Sequence, residues 1–70
     1  MTLKVGDKVA WDWGTGTASG TIKQIYKNDV SKTIKGNTVK RHASDDEPAY
    51  LIEQDDDDRV LKSASEVRGV

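Results

Sequence analysis

The sequence predicts an all-β fold, a small antiparallel barrel of about five strands, on three observations. Apolar and polar residues alternate with period two in several short segments, the pattern of strands with one buried face. Turn-forming groups separate those segments: Val5-Gly6-Asp7, Gly14-Thr15-Gly16, Asn28-Asp29 and Lys35-Gly36-Asn37. Both tryptophans lie between Val5 and Ile22 and the chain has no phenylalanine, so the largest apolar side chains are concentrated in one hairpin. The other strands are expected to pack against it.

The elements follow in order. Met1–Lys4 reads as a frayed end. Lys8–Trp13 is the first strand, with Val9, Trp11 and Trp13 on one face and Ala10 and Asp12 on the other. Gly14–Gly16 is a loop, and Thr17–Ser19 leads into a long second strand, Gly20–Asn28. Ile22, Gln24 and Tyr26 share one face of that strand while Ile25 sits on the other. Apolar residues on both faces imply a bulge or strong coiling. Val30–Ile34 and Thr38–Arg41 form a lysine-rich hairpin of the kind found exposed or at a sheet edge. His42–Pro48 is a polar loop, and Pro48 marks the entry to the strand Ala49–Gln54. Asp55–Asp58 is a turn and Arg59–Lys62 the last strand. Ser63-Ala64-Ser65-Glu66 has capping-box spacing, so one helical turn is expected near the C-terminus. The expected core holds Val9, Trp11, Ile22, Ile25, Leu51 or Ile52, and Val60.

Composition bounds the function. Seventy residues make one expected domain, 1–70, near the size at which a single core only just outweighs chain entropy. Without cysteine there are no disulfides and no thiolate metal ligands. No apolar run approaches the roughly 20 residues of a membrane span, and Met1–Lys4 carries no secretion signal. A soluble, cytoplasmic protein is expected. The net charge of −1 conceals segregation. Lys23, Lys27, Lys32, Lys35, Lys40 and Arg41 face only Asp29 within Thr21–Arg41, whereas Ala43–Asp58 carries eight acids and no base. Such a dipolar surface bears on partner choice more than on fold.

Five bent strands with a helical turn near the end give the layout of an SH3-like barrel. The stretches GDKVAWDWGTGTASGTI, TIKGNTVKRHASDDEPAYLIEQ and DRVLKSASEV resemble the hypervirulence-associated Tudor-like domain family, over roughly Leu3 to Val67. The resemblance implies a Tudor-type barrel. It implies little about ligand, because that fold hosts many binding functions.

Catalysis has no support in the motifs. His42 is a lone loop histidine and reads as a surface residue; the carboxylates cluster in turns where nothing would desolvate them. No phosphate-binding glycine pattern occurs, so neither an enzyme nor a cofactor is expected. Asp55–Asp58 offers oxygen ligands but lacks the spaced loop of a calcium site, so no metal is expected either.

The aromatic residues are the candidate binding set. Trp13, Tyr26 and Tyr50, with Asp12, Asp46 or Glu47 nearby, would form a surface for a peptide or protein, or a cage for a cationic side chain. The core competes for the same rings, Trp11 first. The alternative partner is nucleic acid, held by Lys23, Lys27, Lys32, Lys35, Lys40 and Arg41 around Tyr26, although an isoelectric point near 5.7 is far from that of a dedicated binder. A structural or stress-associated role with no defined ligand is the third reading.

Overall fold

The computed structural model describes residues 3–34, 36–54 and 58–70. Within them the elements are β1 (Lys8–Trp13), β2 (Gly16–Tyr26), β3 (Val30–Ile34), β4 (Asn37–Arg41), β5 (Ala49–Gln54), β6 (Arg59–Ser63), a 3-10 turn (Ala64–Glu66) and β7 (Arg68–Gly69). Five strands form one antiparallel sheet in the order β6-β5-β2-β1-β7, and β3 pairs with β4 alone. A meander whose last strand returns beside the first, after a 3-10 turn, has the strand order of an SH3-like barrel. The β3–β4 hairpin is an insertion between the second and third barrel strands.

The long β2 makes the curvature. Its first half pairs with β1, from Trp13↔Gly16 to Lys8↔Thr21, and its second half pairs with β5. The β2–β5 register shifts between Ile22 and Gln24, the bulge that apolar residues on both faces had implied. A bulge bends the strand and sharpens its twist, which lets one strand serve both halves of a barrel. The β1–β2 hairpin closes through Gly14 and Thr15. Gly14 at φ +52° supplies the positive φ that a tight hairpin turn needs at its first central position.

The core sits on the inner face of these strands. Val9, Trp11, Ile22, Tyr50 and Ile52 form the buried cluster, with Leu3, Ala18, Ile25, Val60, Ala64 and Val67 packed around it. Large residues on β1 face small ones on β2: Val9 is paired with Gly20, Trp11 with Ala18 and Trp13 with Gly16. Gly20 carries the closest approach. A Cβ there would lie 2.6 Å from both the Glu53 carbonyl oxygen and Ile52 Cγ2.

A second apolar layer lies on the outer face. Ala49, Leu51 and Leu61 alternate out of phase with Tyr50 and Ile52, yet Ala49 and Leu61 are buried. The half-buried face of the hairpin, Val30, Lys32, Ile34, Val39 and Arg41, alternates with exposed residues and packs toward β6. Arg41 ties it down: its Nε donates to Glu66 Oε1 at 2.8 Å, and the same oxygen accepts the Ser63 N–H at 2.9 Å.

The structure corrects several expectations. β2 begins at Gly16 and ends at Tyr26, because its pairing with β1 runs up to the hairpin turn. β4 starts at Asn37 and β6 ends at Ser63. Ile52, and not Leu51, belongs to the inner core; Leu51 is half-buried on the outer side, and Ile25 and Val60 flank the core without full burial. Leu3 is not frayed but packs on the core, while Met1 and Thr2 lie outside the described residues. The expected turn at Asp55–Asp58 falls on residues 55–57, which also lie outside them. Ser63 and Glu66 do bracket a 3-10 turn. β7 was not anticipated.

Candidate interaction surface

The four aromatic rings have separate fates. Trp11 is 3% exposed, at the centre of the core. Tyr50 is also 3% exposed, and burial pushes its hydroxyl pKa above the ordinary value, so it belongs to the core and not to a binding surface. Tyr26 is half-buried on the outer face. Its hydroxyl donates to Gln24 Oε1, and Lys32 Nζ lies 5.1 Å from its ring centroid, so one face of that ring already carries a cation. Trp13 alone stands clear, 65% exposed. It shares the face of Val9 and Trp11, but β1 runs past the end of the core, where Gly16 and the turn leave the ring uncovered.

These rings do not converge. Trp13 pairs with Gly16 at the first residue of β2, and Tyr26 is its last residue. That separation is about 30 Å of extended chain, shortened only by the bend. A cage built from Trp13, Tyr26 and Tyr50 is therefore not formed. Its proposed carboxylates are divided in the same way. Asp12 lies beside Trp13, accepting from Thr17 Oγ1 at 3.4 Å and from Arg68 Nη2 at 3.2 Å. Asp46 and Glu47 lie in the exposed loop before Ala49, the residue paired with Tyr26 at the other end of β2. Sequence alternation correctly placed Trp13 on the core-facing side but carried no signal of where the core stops.

The basic segment is divided between the two sides of the hairpin and partly paired. Lys23 is 3.7 Å from Glu53, which also meets Arg59 at 3.5 Å. Lys32 and Arg41 point from the half-buried side of the hairpin, whereas Lys40 points from its exposed side. Lys27 is exposed just after β2, and Lys35 lies outside the described residues. Lys23 and Lys32 line one groove with Arg59, and Arg41 lines a second groove that shares Arg59.

Two carboxylates gather partners. Asp29 Oδ2 is 3.2 Å from His42 Nδ1 and its Oδ1 accepts the Ala43 N–H at 3.2 Å; that backbone bond first, then His42, holds its pKa below the usual value. His42 is 99% exposed, and Ser44 Oγ accepts the Glu47 N–H. Among the described residues, no three histidine, aspartate or glutamate side chains gather as a metal site would require. Partial burial pushes Glu66 upward, but the Ser63 N–H, Arg41 and Lys62 outweigh it and hold the carboxyl below its ordinary value of 4.5. A depressed carboxylate pKa means stabilisation that is present above that value and lost as pH falls through the folded pKa. Melting curves from pH 7 to pH 3 are expected to show Glu66→Gln less stable than the parent at pH 7. Its loss of stability on acidification should be shallower. Parallel curves would deny Glu66 this role.

Strand order, curvature and the 3-10 turn define a small Tudor-type, SH3-like barrel, a class of fold that typically serves as a non-catalytic binding module. Residues 6–67 of the chain match the family model described as the hypervirulence associated proteins TUDOR domain. The chain belongs to that family. No curated protein and no solved structure matches it significantly.

Proposed function

We propose that this barrel is a protein- or peptide-interaction module whose contact surface centres on Trp13. The observation that carries the reading is the exposure of one tryptophan at the end of the paired β1–β2 hairpin while the other three rings are engaged within the fold. An indole offers large apolar area and one N–H donor at little conformational cost, which is why tryptophan is enriched at interface hot spots. The Asp12–Arg68 ion pair beside it adds polar contacts of the kind found at an interface rim. Pairing of Lys23 with Glu53 and of Arg41 with Glu66, in a chain of net charge −1, makes the nucleic-acid alternative the weaker reading.

Trp13→Ala is expected to change the unfolding free energy by no more than about 0.5 kcal/mol, as for an exposed site. Cross-linked partners from nuclease-treated extract of the source cell should be recovered with the parent chain and lost with Trp13→Ala. Recovery that survives Trp13→Ala, or that vanishes with nuclease treatment, would contradict the reading.

A further inference from the structure

β7 covers only part of the outer edge of β1. It pairs with Val9 and Ala10, and Val70 N–H donates to Lys8 O at 3.1 Å, while β1 runs on to Trp13. The chain enters β7 from the 3-10 turn, so among the described residues no strand lies beside Asp12 and Trp13 on that side. Residues of an antiparallel strand alternate in the direction their N–H and C=O groups point. Two bonds fix the phase. Ile22 N–H donates to Asp7 O at 3.0 Å, in the register of the β2 ladder, and Val70 N–H donates to Lys8 O in the register of β7. Val9, Trp11 and Trp13 therefore bond to β2. Lys8 and Ala10 turn their backbone groups to β7, and Asp12 turns its own to the uncovered edge.

The side chains around this edge are wet. Asp12 is 76% exposed, and its Oδ1 lies 3.2 Å from Arg68 Nη2, an ion pair on the face opposite Trp13. On the core-facing side the Trp13 ring stands uncovered. A strand laid antiparallel beside Asp12 would place one side chain next to the Asp12–Arg68 pair and the adjacent side chain against the indole. The edge thus asks for a main-chain donor and acceptor at one residue, a polar side chain there, and an apolar side chain beside it.

We propose that an extended segment of a partner protein, alternating polar and apolar, docks antiparallel to β1 by exchanging two main-chain bonds with Asp12 and laying an apolar side chain on Trp13. This is strand addition at a single paired residue, so the indole contact carries much of the affinity. An oligonucleotide could stack on the ring but would leave the Asp12 backbone unpaired. The proposal rests on the reading that Trp13 centres the contact surface, and it names how the partner is held there.

The test follows amide shifts of the intact chain while acetyl-Ser-Val-Ser-Val-Ser-Val-amide is titrated to millimolar concentration. Saturable shifts at the Asp12 amide and the Trp13 indole N–H are expected, with slowed exchange at Asp12. Serine falls opposite Asp12 when valine meets the indole. N-methylating the serines should therefore weaken binding at least about tenfold, and N-methylating the valines far less. Asp12→Pro removes an N–H that the β2 ladder does not use, and should weaken binding further than Asp12→Ala. Absence of shifts at Asp12, equal affinity of the two methylated peptides, or displacement by oligothymidylate at lower concentration would each overturn the proposal. So would Asp12 exchange that slows with protein concentration before peptide is added, the mark of a second copy on this edge. Strand addition fails alone if Asp12→Pro and Asp12→Ala bind alike while Trp13→Ala still abolishes partner recovery from extract. Both readings fail if recovery survives Trp13→Ala.

Discussion

Trp11→Ala is expected to reduce the unfolding free energy by about 3–5 kcal/mol, most of what a core this small commands. The ring is buried with Val9, Ile22, Tyr50 and Ile52. Facing it on β2 is Ala18, whose small size creates the room the indole occupies. Truncation therefore leaves a cavity that a paired and bulged strand cannot collapse into without losing ladder bonds. Urea unfolding followed by circular dichroism measures the effect. A loss below about 1 kcal/mol would place the indole outside the core.

Gly20→Ala carries the second large effect, and it arises from crowding. The new methyl carbon would meet a backbone carbonyl oxygen and a core methyl, both at 2.6 Å. The carbonyl belongs to Glu53, next to the β2 bulge, so relief requires β2 and β5 to separate where the sheet changes direction. Overpacking of this kind costs about 1–3 kcal/mol, and the branched side chain of Gly20→Val should cost more. Gly16→Ala is the control: its Cβ would meet nothing within 4 Å, and the unfolding midpoint should scarcely move. Equal midpoints for Gly20→Ala and Gly16→Ala would contradict the close approach.

The strands were legible where one face is wet. Lys8–Trp13, Val30–Ile34 and Ala49–Gln54 are observed with the bounds that alternation gives, and Ile22 and Ile25 announced the bulge between them. β7 was not legible, because Arg68–Gly69 is too short to alternate and pairs only through its position after the 3-10 turn. The second apolar layer escaped for a related reason. Leu51 and Leu61 face outward from the barrel, and local sequence does not say that a hairpin inserted earlier in the chain covers them. Of the candidate site, Trp13 is exposed, Tyr50 is taken into the core, and Tyr26 is matched with Lys32. Register along β2 decided this, and register depends on pairing between distant segments.

The reading rests on one tryptophan being wet while the other is dry. Acrylamide quenching of the parent chain and of Trp13→Phe measures that difference directly. The parent should show two populations of comparable size, one red-shifted and accessible, the other blue-shifted and protected. Trp13→Phe should retain only the protected emission, with an unchanged unfolding midpoint. Two protected tryptophans in the parent, or an accessible emission that persists in Trp13→Phe, would contradict it.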